Sequence, residues 1–159
     1  MNRHLDTNML IKIHYLPNEA LLAYTAGHIK EGRSVTLTIR GNSMNPFLAD
    51  GRDLVILSPF TEKELLPGAV VLARESNGRL LLHRIIHRQG QILTILGDGN
   101  TEYTEQTQVS EVIGLLTSII RKGKKYSCDE RFWKYYSICW MKLYPARKVL
   151  LYLFRLTHR

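Results

Sequence analysis

The chain has 159 residues, which is enough for one compact domain and a modest appendage but not for two full domains. Hydrophobic residues make up 45% and charged residues 23%, so the composition argues against intrinsic disorder and predicts a globular core of mixed type. The formal net charge of +8 indicates an anionic partner, such as a phospholipid surface, nucleic acid or an acidic protein.

Residues 1–32 form the first segment and contain one predicted helix that packs on the core. Pro17 and Asn18 are a helix-start signal, and Gly32 is a natural stop. The first residues show no secretory signal, and no apolar run reaches the roughly 18 residues of a spanning helix. We therefore expect a cytoplasmic protein.

Residues 33–125 read as short strands separated by turns. Apolar and polar residues alternate in Val35–Ile39, and later β-rich runs follow Gly-containing turns. The further predicted strands cover 53–57, 69–73, 79–88, 92–96 and 112–120. Many short antiparallel strands at this spacing predict a folded sheet or small barrel. With helices at both ends, the expected class is mainly β, α+β overall.

Residues 126–159 form a basic, aromatic tail that we expect to be helical. Ser127 and Glu130 match a capping box, and Pro145 should separate two helices. The apolar side chains of the first helix are expected on one side, namely Phe132, Trp133, Tyr136, Trp140 and Leu143. No acidic residue follows Glu130.

The two cysteines give no sign of a disulfide or a metal site. Cys128 and Cys139 lie 11 positions apart on one predicted helix, too far to form a disulfide, and no metal-ligand spacing accompanies them. We predict two reduced, core-facing thiols, as in a reducing compartment, and neither a metal nor a cofactor.

Three separate positions carry residues suited to nucleophilic catalysis. Ser43 follows a predicted strand in a Gly-containing turn, His83 lies within an apolar strand, and Asp98 lies in a polar turn after the next strand. Alone, each has an ordinary explanation: a turn-capping serine, a hydrogen-bonded core histidine and a turn aspartate. Together they supply a nucleophile, a base and a carboxylate, which the strand meander can bring to one edge.

The order of these positions resembles the S24/S26 serine peptidases, which comprise LexA-like self-cleaving repressors and type I signal peptidases. Ser43-Met44-Asn45-Pro46 resembles the Ser-Met-x-Pro box, and the following Gly51-Arg52-Asp53 resembles its Gly-Asp strand with one residue inserted. His83-Arg84-Ile85-Ile86 is similar to the base box in its histidine form, found in the endoplasmic-reticulum type. Gly97-Asp98-Gly99-Asn100 resembles the third box. The match covers roughly residues 33–121.

The resemblance implies a LexA/signal-peptidase-like folded sheet and an endopeptidase that cleaves a peptide or precursor protein. Ser43 would be the nucleophile, His83 the base and Asp98 the orienting acid, with Glu102 or Glu105 as alternatives. The Ser43 N–H would be an oxyanion donor. Many signal peptidases have a hydroxyl two positions before the nucleophile. This chain has glycine there, so an amide from Asn42 is the alternative donor.

Two other functions remain open from the sequence. One is a catalytically silent peptide-binding module of the same fold, and the other is a LexA-like self-processing regulator cut at Ala26-Gly27. The tail has three interpretations: peripheral contact with an anionic membrane, at its inner face if the protein is cytoplasmic; packing on the sheet; or contact with a partner. Nucleic acid is not expected, because residues 1–32 provide only one clear helix and no helix-turn-helix.

Overall fold

A computed structural model describes residues 18–75 and 77–157, and the expectations for the first 17 residues lie outside this range. Mainly antiparallel strands are flanked by an N-terminal helix and by C-terminal helices, which confirms the predicted α+β class. The helices are α1 (Asn18–Lys30), α2 (Arg131–Lys142) and α3 (Arg147–Thr157). The strands are β1 (Val35–Thr38), β2 (Asp53–Ser58), β3 (Val70–Arg74), β4 (Leu80–Gln89), β5 (Ile92–Leu96), β6 (Glu105–Gln108), β7 (Val112–Arg121) and β8 (Lys124–Ser127).

Helix α1 ends as the sequence predicts. Gly32 has φ +78°, a left-handed conformation that glycine adopts without steric cost. The N–H of Arg33 donates to the carbonyl oxygen of His28 at 2.9 Å, which satisfies one free carbonyl of the last turn. Ile29 approaches Gly114 of β7, so α1 packs on the sheet.

The strands form one sheet in the order β1-β2-β7-β3-β4-β5-β6, with every neighbouring pair antiparallel. Strand β7 is long enough to pair with β3 through its first half and with β8 through its second half. Along β3, Val70 and Leu72 belong to one buried cluster, whereas Val71 and Ala73 belong to another. Because side chains alternate along a strand, the two clusters lie on opposite faces of the sheet.

Two strands were not predicted, β6 and β8. Strand β8 crosses the expected boundary between the sheet domain and the tail at residues 125–126, because Lys124 to Ser127 pair with the end of β7.

Helix α2 begins at Arg131, and the predicted capping box is only partly formed: the Glu130 side chain accepts from the Ser127 N–H at 3.2 Å.

The tail helices pack on the body through part of their aromatic side chains. Of the five side chains expected on one side of α2, Trp133 and Trp140 are buried, whereas Phe132 is 67% and Leu143 43% exposed, so that side is covered only in part. The described residues contain no helix with both the length and the apolarity needed to cross a bilayer.

The thiols are free, but only one faces the core. Cys128 is half-buried, and burial raises the pKa of its thiol to about 12, which keeps it protonated and unreactive. Cys139 is exposed, which corrects the prediction of two core-facing thiols.

Candidate active site

Ser43 lies in the loop between β1 and β2. Gly41 and Gly51 have φ +82° and +70°, so the chain can turn sharply near both ends of the loop. Ser43 itself is exposed, but Met44 beside it is only 3% exposed and belongs to the core. The fold therefore presents a hydroxyl to solvent from a backbone that is anchored at the next residue.

An ion cluster at the start of β2 holds this loop. The buried Asp53 carboxylate accepts from Arg52 at 2.8 Å and from Arg121 at 2.7 Å. Both arginines also donate to the carbonyl oxygen of Phe47, at 3.1 and 2.8 Å. Burial alone would raise the pKa of Asp53, but the hydrogen bonds from Arg121, Arg52 and the Ala49 N–H outweigh it and lower that pKa. Arg52 thus joins the start of β2 to the loop that contains Ser43.

The register of β4, β5 and β6 brings His83 to a carboxylate. Ile85 lies opposite Ile95, and Ile95 lies opposite Glu105. Residues that lie opposite each other on neighbouring strands share a side of the sheet, so Ile85 and Glu105 are on the same side. His83 is two positions before Ile85 on the same strand and therefore also lies on that side. The His83 Nδ1 atom lies 3.1 Å from Glu105 Oε2.

The His83 ring is enclosed, since its side chain is 3% exposed and that of Glu105 is 13% exposed. Burial lowers the pKa of the imidazole below its ordinary value, and the Glu105 and Asp98 carboxylates offset only part of this effect. The neutral ring therefore predominates near neutral pH. Because an ionised carboxylate can only accept a hydrogen bond, Glu105 selects the tautomer with its proton on Nδ1 and a lone pair on Nε2.

The Ser43 loop and the His83 ring meet at Gly97. A methyl group at Gly97 would lie 2.4 Å from the carbonyl oxygen of Ser43 and 3.0 Å from His83 Nε2. The same carbonyl oxygen accepts from the Gly99 N–H at 2.7 Å. No hydrogen bond joins the Ser43 hydroxyl to the ring among the described residues. The structure thus brings the backbone of Ser43 and the free ring nitrogen of His83 to the same place beside Gly97.

Asp98 and Glu102, the two other acids predicted to be able to orient His83, have different partners. Asp98 forms two hydrogen bonds with Arg84, at 2.8 and 2.6 Å, and both side chains are 1% exposed. Burial alone would lower the pKa of Arg84, but the Asp98 carboxylate outweighs it and raises that pKa. Glu102 pairs with Lys148 at 3.1 Å on the surface. The geometry therefore differs from the sequence-based assignment: the carboxylate that contacts His83 belongs to Glu105 and not to Asp98.

The candidate oxyanion donors lie at the start of the loop. The Asn42 side chain is exposed, and its Oδ1 accepts from Asn45 Nδ2 at 3.1 Å. Among the described residues, the Ser43 N–H makes no hydrogen bond. The N–H of Gly41 donates to the Asp50 carboxylate at 3.1 Å and is used structurally. Ser43 and Asn42 remain the predicted donors.

The tail packs on the loop that follows β5. Trp140 Nε1 donates to the carbonyl oxygen of Asp98 at 3.3 Å. Arg147, 1% exposed, donates to the carbonyl oxygens of Trp140 at 3.1 Å and of Asn100 at 3.5 Å. This loop also contains Gly97, which lies beside Ser43 and His83. The tail therefore packs against the segment on which the two candidate residues meet.

The sequence did not predict that Arg84 and Arg121 stabilise the loops around the site. Arg84 follows the base directly in the sequence, but nothing local shows that its guanidinium bonds Asp98. Arg121 lies 68 positions from Asp53 and is joined to it only by the pairing of β2 with β7.

Comparison with known proteins adds no family assignment. A scan against protein-family models gives no match, and a search of curated proteins gives no significant match. The described residues contain no group of three or more His, Cys, Asp or Glu side chains arranged to hold a metal ion. The arrangement of Ser43, His83 and Glu105 is therefore the feature of this chain that indicates a function.

Proposed function

We propose that this protein is a serine endopeptidase that cleaves a peptide or precursor protein. Ser43 is the nucleophile, His83 the general base, and Glu105 the acid that orients the imidazole. One observation supports this assignment most strongly: Glu105 holds His83 Nδ1, while Nε2 lies beside the Ser43 backbone across Gly97. A neutral, oriented imidazole next to an exposed serine has the features that nucleophilic catalysis requires.

In the acylation step, Ser43 Oγ attacks the carbonyl carbon of the scissile bond and its proton passes to His83 Nε2. Glu105 stabilises the imidazolium that forms. The oxyanion is bound by the Ser43 N–H, with the Asn42 amide as the second donor. The C–N bond then breaks, and His83 returns the proton to the departing amine.

Deacylation repeats these roles with water. Water loses a proton to His83 Nε2 and attacks the acyl ester. The carbonyl–Oγ bond then breaks, the acid product leaves, and Ser43 regains its proton from His83. No cofactor takes part in this scheme.

A catalytically silent peptide-binding module is the main alternative, and two observations favour it. Gly41 occupies the position where many signal peptidases have a hydroxyl, and the Ser43 hydroxyl is not hydrogen-bonded to His83 among the described residues. Self-processing at Ala26-Gly27 is the weaker alternative, because this bond lies inside α1 and the helix would have to unwind before cleavage.

Hydrolysis of a panel of peptides with small residues at the cleavage position, followed by mass spectrometry, tests the proposal. The wild type and Ser110→Ala, which changes another exposed serine, should cleave the same peptides. Ser43→Ala should cleave none. Peptide binding by the wild type without cleavage would instead support the silent module.

We place the reaction in the cytoplasm, as the sequence suggests.

A further inference from the structure

Helix α3 packs one side against the body of the protein and exposes apolar residues on the opposite side. Arg147 and Leu151 are buried against the body of the protein. On the opposite side, Val149 and Tyr152 are each 63% exposed, Leu153 52% and Leu156 51%. A surface helix normally turns polar residues to solvent, so this side is suited to contact with another apolar phase.

Helix α2 repeats this pattern. Trp133 and Trp140 face the body, whereas Phe132 is 67% and Tyr135 66% exposed. We call these two aromatic residues and the four exposed apolar residues of α3 the outer face of the tail. Its mixture of aromatic and aliphatic side chains is typical of helices that lie in a membrane interface.

The tail that carries the outer face is strongly basic. No acidic residue follows Glu130 in the sequence. Lys148 pairs with Glu102 and Arg155 lines a cavity beside the body of the protein, but Arg131 and Lys142 are exposed and form no ion pair within the part of the chain that the structure describes. These unpaired cations are available to anionic headgroups.

We propose that the outer face of the tail docks on an anionic lipid bilayer, with α2 and α3 lying in the interface. A second copy of this chain fits less well, because a symmetric contact through this face would bring like charges together. Nucleic acid also fits less well, because phosphate binding uses the cations but not the exposed Val149, Leu153 and Leu156.

Docking in this way would place the candidate active site close to the membrane. Asn42 and Gly99, on either side of the Ser43 backbone, line a cavity of about 630 Å³ together with Leu151 and Phe154 of α3. An α-helix is roughly 10 Å across, so only about this distance separates the cavity from lipid on the other side of α3. We therefore infer that the enzyme acts on substrates presented at a membrane surface. This inference about substrates rests on the proposed function, whereas membrane binding does not.

Vesicle flotation with the full chain tests the docking surface independently of catalysis. The Ser43→Ala protein should float with vesicles of 70% phosphatidylcholine and 30% phosphatidylserine as the wild type does. Leu153→Glu should lower the partition coefficient by about tenfold or more, because an apolar side chain is lost from the interface. Ile92→Glu is the matched control, since it makes the same charge change at a residue of similar exposure, 48%, and should bind as the wild type does apart from a small charge effect.

Several results would overturn the proposal. They are equal flotation of Leu153→Glu and wild type, equal loss in Leu153→Glu and Ile92→Glu, and wild-type binding to pure phosphatidylcholine as strong as to the anionic vesicles. A wild-type dimer in light scattering that Leu153→Glu converts to a monomer would assign this face to a second copy instead. Binding to RNA without any flotation would assign the charge to nucleic acid. Matching melting temperatures of the variants establish that each is folded.

Discussion

Replacing Glu105 by glutamine and Asp98 by asparagine should affect two different properties, the reaction in the first case and the stability of the fold in the second. Glu105→Gln should impair the reaction and leave the fold intact, because Glu105 contacts His83 Nδ1 at 3.1 Å and is partly exposed. Asp98→Asn should destabilise the fold, because Asp98 neutralises Arg84 where both side chains are 1% exposed.

The expected magnitudes follow from these contacts. A glutamine can turn its NH₂ group toward Nδ1, which selects the tautomer whose Nε2 already carries a proton and cannot accept one from Ser43. We expect the rate to fall by roughly 10²–10⁴-fold in Glu105→Gln. Removing one charge of the buried pair in Asp98→Asn should lower the free energy of unfolding by about 3–5 kcal/mol. For a domain of this size, that loss lowers Tm by roughly 6–20 °C.

The assay is the rate at which a fluorophosphonate probe labels the protein, measured alongside thermal melting. In this reaction Ser43 Oγ bonds to phosphorus, fluoride leaves and His83 takes the serine proton, so the rate reports the activated serine without a known substrate. Measured well below its Tm, Asp98→Asn should be labelled within about tenfold of the wild-type rate, because the charge it loses acts on His83 from beyond direct contact. The opposite pattern, slow labelling in Asp98→Asn and normal labelling in Glu105→Gln, would refute the assignment of Glu105.

Three further predictions follow from the same contacts. Because the pKa of His83 lies below its ordinary 6.5 and the neutral ring is the base, labelling plotted against pH should fall on the acid side with a midpoint below 6.5; a midpoint above 6.5 contradicts this. Gly97→Ala should slow labelling by about 100-fold or more, because its methyl group would lie 2.4 Å from the Ser43 carbonyl oxygen, whereas Gly27→Ala, with no atom within 4 Å, should label normally. Asp53→Asn should lower the free energy of unfolding in urea by about 2–3 kcal/mol at pH 7, an effect that disappears in acid as the carboxylate protonates; an unchanged midpoint would contradict this.

Local pattern was enough to predict the strands that contribute to the core, but not two polar ones. Val35–Thr38 alternates buried and half-buried positions, as its sequence indicates. The strands Glu105–Gln108 and Lys124–Ser127 have no comparable apolar pattern and form because neighbouring strands offer unpaired backbone groups.

The missing strand β6 explains the difference over the orienting acid. His83 and Arg84 are consecutive on β4, so their side chains point to opposite faces of the sheet. Asp98 bonds to Arg84, and Glu105 reaches the face of His83 only because β6 pairs with β5. Because the sequence did not predict this pairing, Asp98 of the third box was expected to be the acid that orients His83.

Mapping the residue that the fluorophosphonate probe modifies tests the central claim most directly. After incubation at pH 8, intact mass and peptide mapping of the wild type should show one probe per chain, attached to Ser43. Ser43→Ala should remain unmodified, and His83→Ala should be labelled at least 100-fold more slowly than the wild type. No modification of the folded wild type, or modification at another residue that persists in Ser43→Ala, would contradict the assignment of Ser43 as an activated nucleophile.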